Sequence, residues 1–196
     1  MHNLSMAYGG DVATLKKETA PDELELVRAF VNTADLEDDE EELDSPAAFK
    51  AWLLEVGLLG RGADVVEPDL RRAIDVREAL RALLVANAGG ALDPRAPVTL
   101  DQAARRAGLA LRFAPGGTSR LEPAAAGVDG AIGQILARVA EAMSDGSWAR
   151  LKACRRETCA WAFYDHTKNH SGVWCEMAVC GNRAKAEAYR RRQAEA

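Results

Sequence analysis

All four cysteines of this 196-residue chain fall within 27 residues, as Cys154, Cys159, Cys175 and Cys180, in the pattern C-x4-C-x15-C-x4-C. Two pairs separated by a loop are what a tetrahedral four-thiolate site needs. Each pair supplies two sulfurs from one turn, and the loop folds back to bring the pairs together. Zinc–sulfur bonds of about 2.3 Å in closed four-coordination leave no position for a substrate. Two disulfides are disfavoured without a secretory leader. An iron–sulfur cluster also accepts four cysteines, so the ligand set by itself leaves the metal open. The expectation is one structural Zn²⁺ per chain.

The flanks suit such a site. Zinc with four thiolates carries a formal charge of about −2, and Lys152, Arg155, Arg156, Arg183 and Lys185 stand beside the ligands to offset it. Ala184 to Arg190 reads as a helix, which would put Cys180 near a helix N-terminus, where the dipole favours thiolate. Trp161 to Tyr164 and Val173-Trp174 read as two short strands joined by the polar stretch 165–172. The plan is treble-clef-like, and metal binding on the order of 10 kcal/mol would be its main folding free energy. His166 and His170, at i and i+4, read as polar loop residues, because four cysteines complete the site. Trp161, Phe163, Tyr164 and Trp174 either stack on bases or fill a miniature core, the commoner role beside zinc.

The elements that must carry this site are mostly helical. Thr19 is expected to cap a helix with Pro21, Asp22 and Glu23 in its first turn and Leu24, Val27, Phe30 and Val31 on its apolar face. The acidic run Glu37 to Glu42 reads as a solvated loop, with cation binding second. Ser45-Pro46 opens a helix that Gly57 stops, and Pro68 opens a longer one ending before Gly89-Gly90. Thr99 is expected to cap a short helix, Leu100 to Ala107, closed by Gly108. The alternation in Leu109 to Phe113 predicts a strand, turned by Gly116-Gly117 into a second around Arg120 to Glu122. Val128, Ile132, Ile135, Leu136, Val139 and Met143 mark another helix, stopped at Asp145-Gly146.

Charge is unevenly spread. The net charge is −5, yet residues 148–196 carry +5 and the rest −10. The basic segment is either a solvated tail helix or a footprint for a polyanion, since the local field decides. No window approaches the ~18 apolar residues of a membrane span. The first ten residues lack a secretory pattern, so a cytoplasmic protein is expected. No phosphate-binding glycine loop or Ser/His/Asp constellation occurs, and no enzymatic activity is expected.

Cys180-Gly181-Asn182-Arg183 is similar to the motif that names the CGNR zinc fingers. The likeness extends over Arg150 to Cys154, Trp174 to Met177, Arg183 to Lys185 and Tyr189-Arg190. Upstream, Phe30-Val31-Asn32-Thr33, Ala51-Trp52-Leu53 with Gly57-Leu58-Leu59, and Val76 to Leu80 resemble the ABATE domain that accompanies this finger. Together they span about residues 24 to 192. The resemblance implies a bacterial stress-induced transcription regulator, with a DNA-binding finger and a helical domain for sensing or assembly. Members of the family often carry several arginines in the loop before Trp174, whereas here, across 167–174, only Lys168 keeps a permanent charge. Fewer phosphate contacts imply weaker and less salt-dependent binding.

The expected architecture is mainly α with a short β-hairpin. It comprises a flexible arm over 1–20, a helical ABATE-like domain over 21–147 and a small treble-clef-like four-cysteine zinc finger over 148–196. The expected DNA contacts are Lys168, Arg183, Lys185, Arg190, Arg191 and Arg192. Asn32, Thr33 and Arg77 are read either as a ligand pocket for a small-molecule effector or as a helix-end hydrogen-bond network. A homodimer is expected, as paired half-sites favour one. The competing expectation is a zinc-stabilised protein–protein interaction module with no direct DNA contact.

Overall fold

The computed structural model describes residues 19–194. The arm predicted over 1–20 therefore lies, up to residue 18, outside the described residues. Thr19 and Ala20 are anchored: Ala20 is buried, and its N–H donates to Glu25 Oε2 at 2.9 Å. That carboxylate secures the start of α1 (Asp22–Val31), which has Pro21 at its N-cap. Thr19 does not cap it, because Glu25 reaches back from inside the helix; instead the Thr19 carbonyl lies 3.0 Å from the His166 ring Nε2.

After α1 the chain makes a tight antiparallel hairpin, β1 (Ala34–Asp35) with β2 (Glu40–Glu41). The predicted solvated acidic loop is this hairpin. Asp35 Oδ1 accepts the N–H groups of Glu37 and Asp38, at 2.8 and 3.3 Å, and Asp39 takes the left-handed φ of 56°. Ser45 then caps α2 (Pro46–Glu55) through Ala48 N–H at 3.2 Å, as its position before Pro46 predicts. Next come α3 (Glu67–Asn87) and α4 (Arg95–Ala107). Helix α4 begins four residues before Thr99, so Thr99 lies inside it; Pro94 takes the N-cap position, and Asp93 ahead of it accepts the Arg95 N–H at 2.9 Å. Gly108, at φ 60°, ends α4 as expected, since only glycine adopts that conformation without strain.

The predicted hairpin is β3 (Leu109–Phe113) with β4 (Ser119–Pro123). It leads into α5 (Gly127–Asp145). Gly133 lies where α5 crosses the end of α4: a Cβ there would come within 2.7 Å of Ala107 and Pro123. Met143, placed on the apolar stripe, is half exposed.

A 3-10 turn (Ser147–Arg150) passes the chain into β5 (Leu151–Ala153), paired antiparallel with β6 (Ala162–Tyr164). Val173-Trp174, expected as the second strand of the finger, does not pair with β6. Ala153 stands opposite Ala162, and both are fully buried. Val173 contributes one bond, its carbonyl accepting Arg155 N–H at 2.9 Å. A π-turn (Met177–Gly181) opens the last helix, α6 (Asn182–Ala194).

One apolar cluster unites these elements. Leu24, Val27 and Phe30 of α1, Leu80 and Leu84 of α3, and Ile132 and Ile135 of α5 form its centre. Trp148, Leu151, Ala153 and Ala162 belong to the same cluster. The cysteine-bearing segment is thus built onto the helical core by its own β5–β6 hairpin.

Candidate metal centre

The end of β5 delivers Cys154. Its N–H donates to the Trp161 carbonyl at 2.9 Å, which closes the loop carrying Cys159. Within that loop, the N–H groups of Cys159 and Ala160 both donate to the Arg156 carbonyl at 2.9 Å, and Ala160 turns the chain at φ 44°. The second pair straddles the π-turn: Cys175 lies before it and Cys180 within it. All four sulfurs lie within 4.8 Å of one another. Cys159 and Cys175 sulfurs are 3.7 Å apart, and Cys175 and Cys180 are 3.6 Å apart. Tetrahedral zinc with bonds of about 2.3 Å needs sulfurs about 3.8 Å apart. The donor set therefore fits one structural zinc.

Electrostatics supports a cation here. Thiol donors from Cys159 and Cys175 hold Cys154 well below the usual thiol range, while the same proximity pushes Cys159 and Cys175 up. Four sulfurs at this spacing ionise together only around a divalent cation. Trp161 and Trp174 pack against the cluster, the core role, and Gly181 is buried where a Cβ would run into Met177 and Trp174. Neither His166 nor His170 is among the grouped ligands. Asn182, beside Cys180, donates to the Ala178 carbonyl at 2.9 Å.

The basic flanks keep the expected role in part at Arg156, whose guanidinium the Cys180 sulfur helps to hold charged, and are employed differently at Lys152 and Arg183. Lys152 is buried, its Nζ 2.7 Å from Asp165 Oδ2 and within 3.0 Å of the His170 and Gly172 carbonyls. Asp165 also accepts Thr167 and Gly172 N–H groups, so this pair organises the 165–172 loop. Burial alone would raise the Asp165 carboxyl; the Lys152, Thr167 and Gly172 donors outweigh it and hold the group far below the usual range. Arg156 and Arg183 both turn to Glu37 of the acidic hairpin. Sequence spacing carried no signal for either partnership.

The helical half grips the finger through buried polar bonds. Asn32 donates to the Ala162 carbonyl at 2.9 Å and accepts the Ala162 N–H at 2.8 Å. Arg81 donates to the carbonyls of Val31, Ala34 and Ala160. Thr33 donates to the Phe30 carbonyl and accepts from Arg77, which holds Glu41 bidentately at 2.7 Å on both arms. Asn32, Thr33 and Arg77 are thus brought together and buried, with protein partners for their polar groups. None of them lines the cleft of about 510 Å³ between the acidic hairpin and the finger, whose walls include Arg28, Asp35, Glu37, Trp161 and Phe163.

Lys168 is exposed in the 165–172 loop, and Arg183, Lys185, Arg190, Arg191 and Arg192 are exposed on α6. Helical periodicity puts Arg183, Arg190 and Arg191 on one side and Lys185 and Arg192 on the other. Among the described residues, no helix is long and apolar enough to cross a membrane.

Compared with known protein families, residues 24–146 match ABATE, described as "Putative stress-induced transcription regulator", and residues 150–193 match the CGNR zinc finger. No curated protein matches the chain.

Proposed function

The chain belongs to the ABATE family and carries a CGNR zinc finger after its helical domain, and on that premise we propose that it regulates transcription by setting the finger against DNA. The observation that carries the reading is the exposed cationic helix α6 growing directly out of the four-cysteine site. Zinc fixes the start of that helix, and the β5–β6 hairpin fixes the finger on the helical core. Lys185, Arg190, Arg191 and Arg192, with Arg183 and the loop residue Lys168, would meet backbone phosphates. Such contacts give affinity and salt dependence without sequence readout. A closed four-thiolate site has no open coordination position, so the role assigned to zinc is structural and the function requires no catalysis. The helical half would serve sensing or assembly, with a second copy of the chain and a small-molecule effector as its partners. The cytoplasm is the compartment that this role implies.

A second reading has its own support. The finger is docked on the helical half, two of its arginines are engaged by Glu37, and Tyr189 of α6 is exposed. This suits a zinc-stabilised interaction module. Anisotropy of a labelled duplex, titrated with zinc-loaded protein over a salt series, separates the two. The variant with Lys185, Arg190, Arg191 and Arg192 changed to Ala should lose affinity, and its log K against log salt slope should flatten by about 0.9 for each phosphate no longer neutralised. Absence of binding at low salt would favour the interaction module.

A further inference from the structure

Glu37 is separated by 119 residues from Arg156 and by 146 from Arg183, yet both guanidinium groups meet the same carboxylate oxygen, Oε1. Arg156 Nη1 lies 2.6 Å from it, and Arg183 Nη1 also donates to it directly. Two guanidinium forks on one anionic oxygen form a ready oxyanion site, and guanidinium planes suit phosphate and carboxylate alike.

We propose that Arg156 and Arg183 together form a phosphate site for the DNA backbone, and that Glu37 occupies it as an internal stand-in for that phosphate. The inference rests on the DNA reading above. It adds Arg156 to the DNA-facing surface and gives the acidic hairpin a masking role.

The local construction allows exchange. The side chains of Arg183, Glu37 and Arg156 are 51%, 29% and 20% exposed, so an incoming phosphate approaches the pair from the Arg183 side without opening the core. The two arms of the hairpin are held separately. Asp35 fixes the turn through backbone N–H groups, and Arg77 fixes Glu41 at its far end. The Glu37 side chain is therefore free to swing away while the hairpin stays in place. Arg183 shares its helix face with Arg190 and Arg191, about 10 Å further along α6 at 1.5 Å per residue. A strand that displaced Glu37 would continue along that face.

The test compares full-length zinc-loaded wild type with Glu37→Gln and Glu40→Gln in the duplex anisotropy assay. Glu40 is exposed on the same hairpin, and its replacement removes the same charge without touching either arginine. Circular dichroism and zinc content confirm that each variant is folded. Glu37→Gln should bind about tenfold tighter near 0.1 M salt if it frees the pair for one more phosphate, with the salt slope steeper by about 0.9. Glu40→Gln should change affinity by less than about threefold. Adding Arg156→Ala and Arg183→Ala to Glu37→Gln should remove the gain and the added slope. Equal gains in the two Gln variants, or no gain in Glu37→Gln, would overturn the masking role and leave DNA binding standing. If no variant binds duplex even at low salt, the DNA reading falls, and this inference with it.

Discussion

Asn32 and Ala162 exchange two hydrogen bonds across 130 residues: the Asn32 amide donates to the Ala162 carbonyl at 2.9 Å and accepts the Ala162 N–H at 2.8 Å. The side chain at the end of α1 thereby acts as one more strand partner for β6, whose other edge is β5. Two buried backbone groups of the finger depend on it. Asn32→Ala leaves both without partners and should lower unfolding free energy by about 2–4 kcal/mol. Chemical denaturation checks this, and an unchanged midpoint would mean that the finger docks by apolar packing alone.

Arg81 does the same for three carbonyls at once, those of Val31, Ala34 and Ala160. Arg81→Met should destabilise by about 2–4 kcal/mol, because buried acceptors lose charged donors. Lysine has no planar fork, so Arg81→Lys should recover only part of the loss. If Arg81→Lys matches wild type in urea midpoint, the fork geometry carries no stability.

The buried Lys152–Asp165 pair has a defined pH signature. The Asp165 carboxyl is held far below its ordinary value, so its contribution is fully present above the unfolded-state pKa of about 3.9. It is lost as pH falls below about 4 toward the depressed folded value. Asp165→Asn should cost about 3–5 kcal/mol near neutral pH, since it strands a buried ammonium. The gap between wild type and variant should then narrow as pH falls below about 4. Urea midpoints measured from pH 7 down to about pH 2.5 decide it; a constant gap would rule out this linkage.

Metal removal should reach beyond the finger. Leu151, Ala153 and Ala162 lie in the main apolar cluster while Cys154 directly follows β5, so zinc stabilises the helical half through that hairpin. Cys175→Ser should lose bound zinc and the α6 helicity, and a chelator should lower the melting temperature of the helical half as well. Full zinc occupancy in Cys175→Ser would break the four-cysteine assignment. Because neighbouring thiols push Cys159 and Cys175 up, zinc loading of reduced apoprotein should release protons, and affinity should rise with pH. Calorimetry in buffers of different ionisation enthalpy measures that release.

Features made by near neighbours were legible from residue spacing alone. The C-x4-C-x15-C-x4-C pattern marks a metal site because paired ligands on short turns are a local property. Ser45-Pro46 and Gly57, Gly108 and Gly146 mark helix ends because caps and left-handed turns are made by near neighbours. The same reasoning misplaced Thr19 and Thr99, where the carboxylates of Glu25 and Asp93 took over the start of the helix. The partners of the buried polar groups follow instead from how the elements pack. Lys152 and Arg183 stand beside the cysteines in sequence, yet their charges are met by Asp165 and Glu37. Asn32, Thr33 and Arg77 are joined to β6, the end of α1 and β2, and the cleft lies elsewhere. Apart from the local Thr33–Phe30 bond, these partners stand 13 to 146 residues apart and leave no periodic trace. They are chosen by which elements the apolar core brings together, and that choice is made by the whole chain at once.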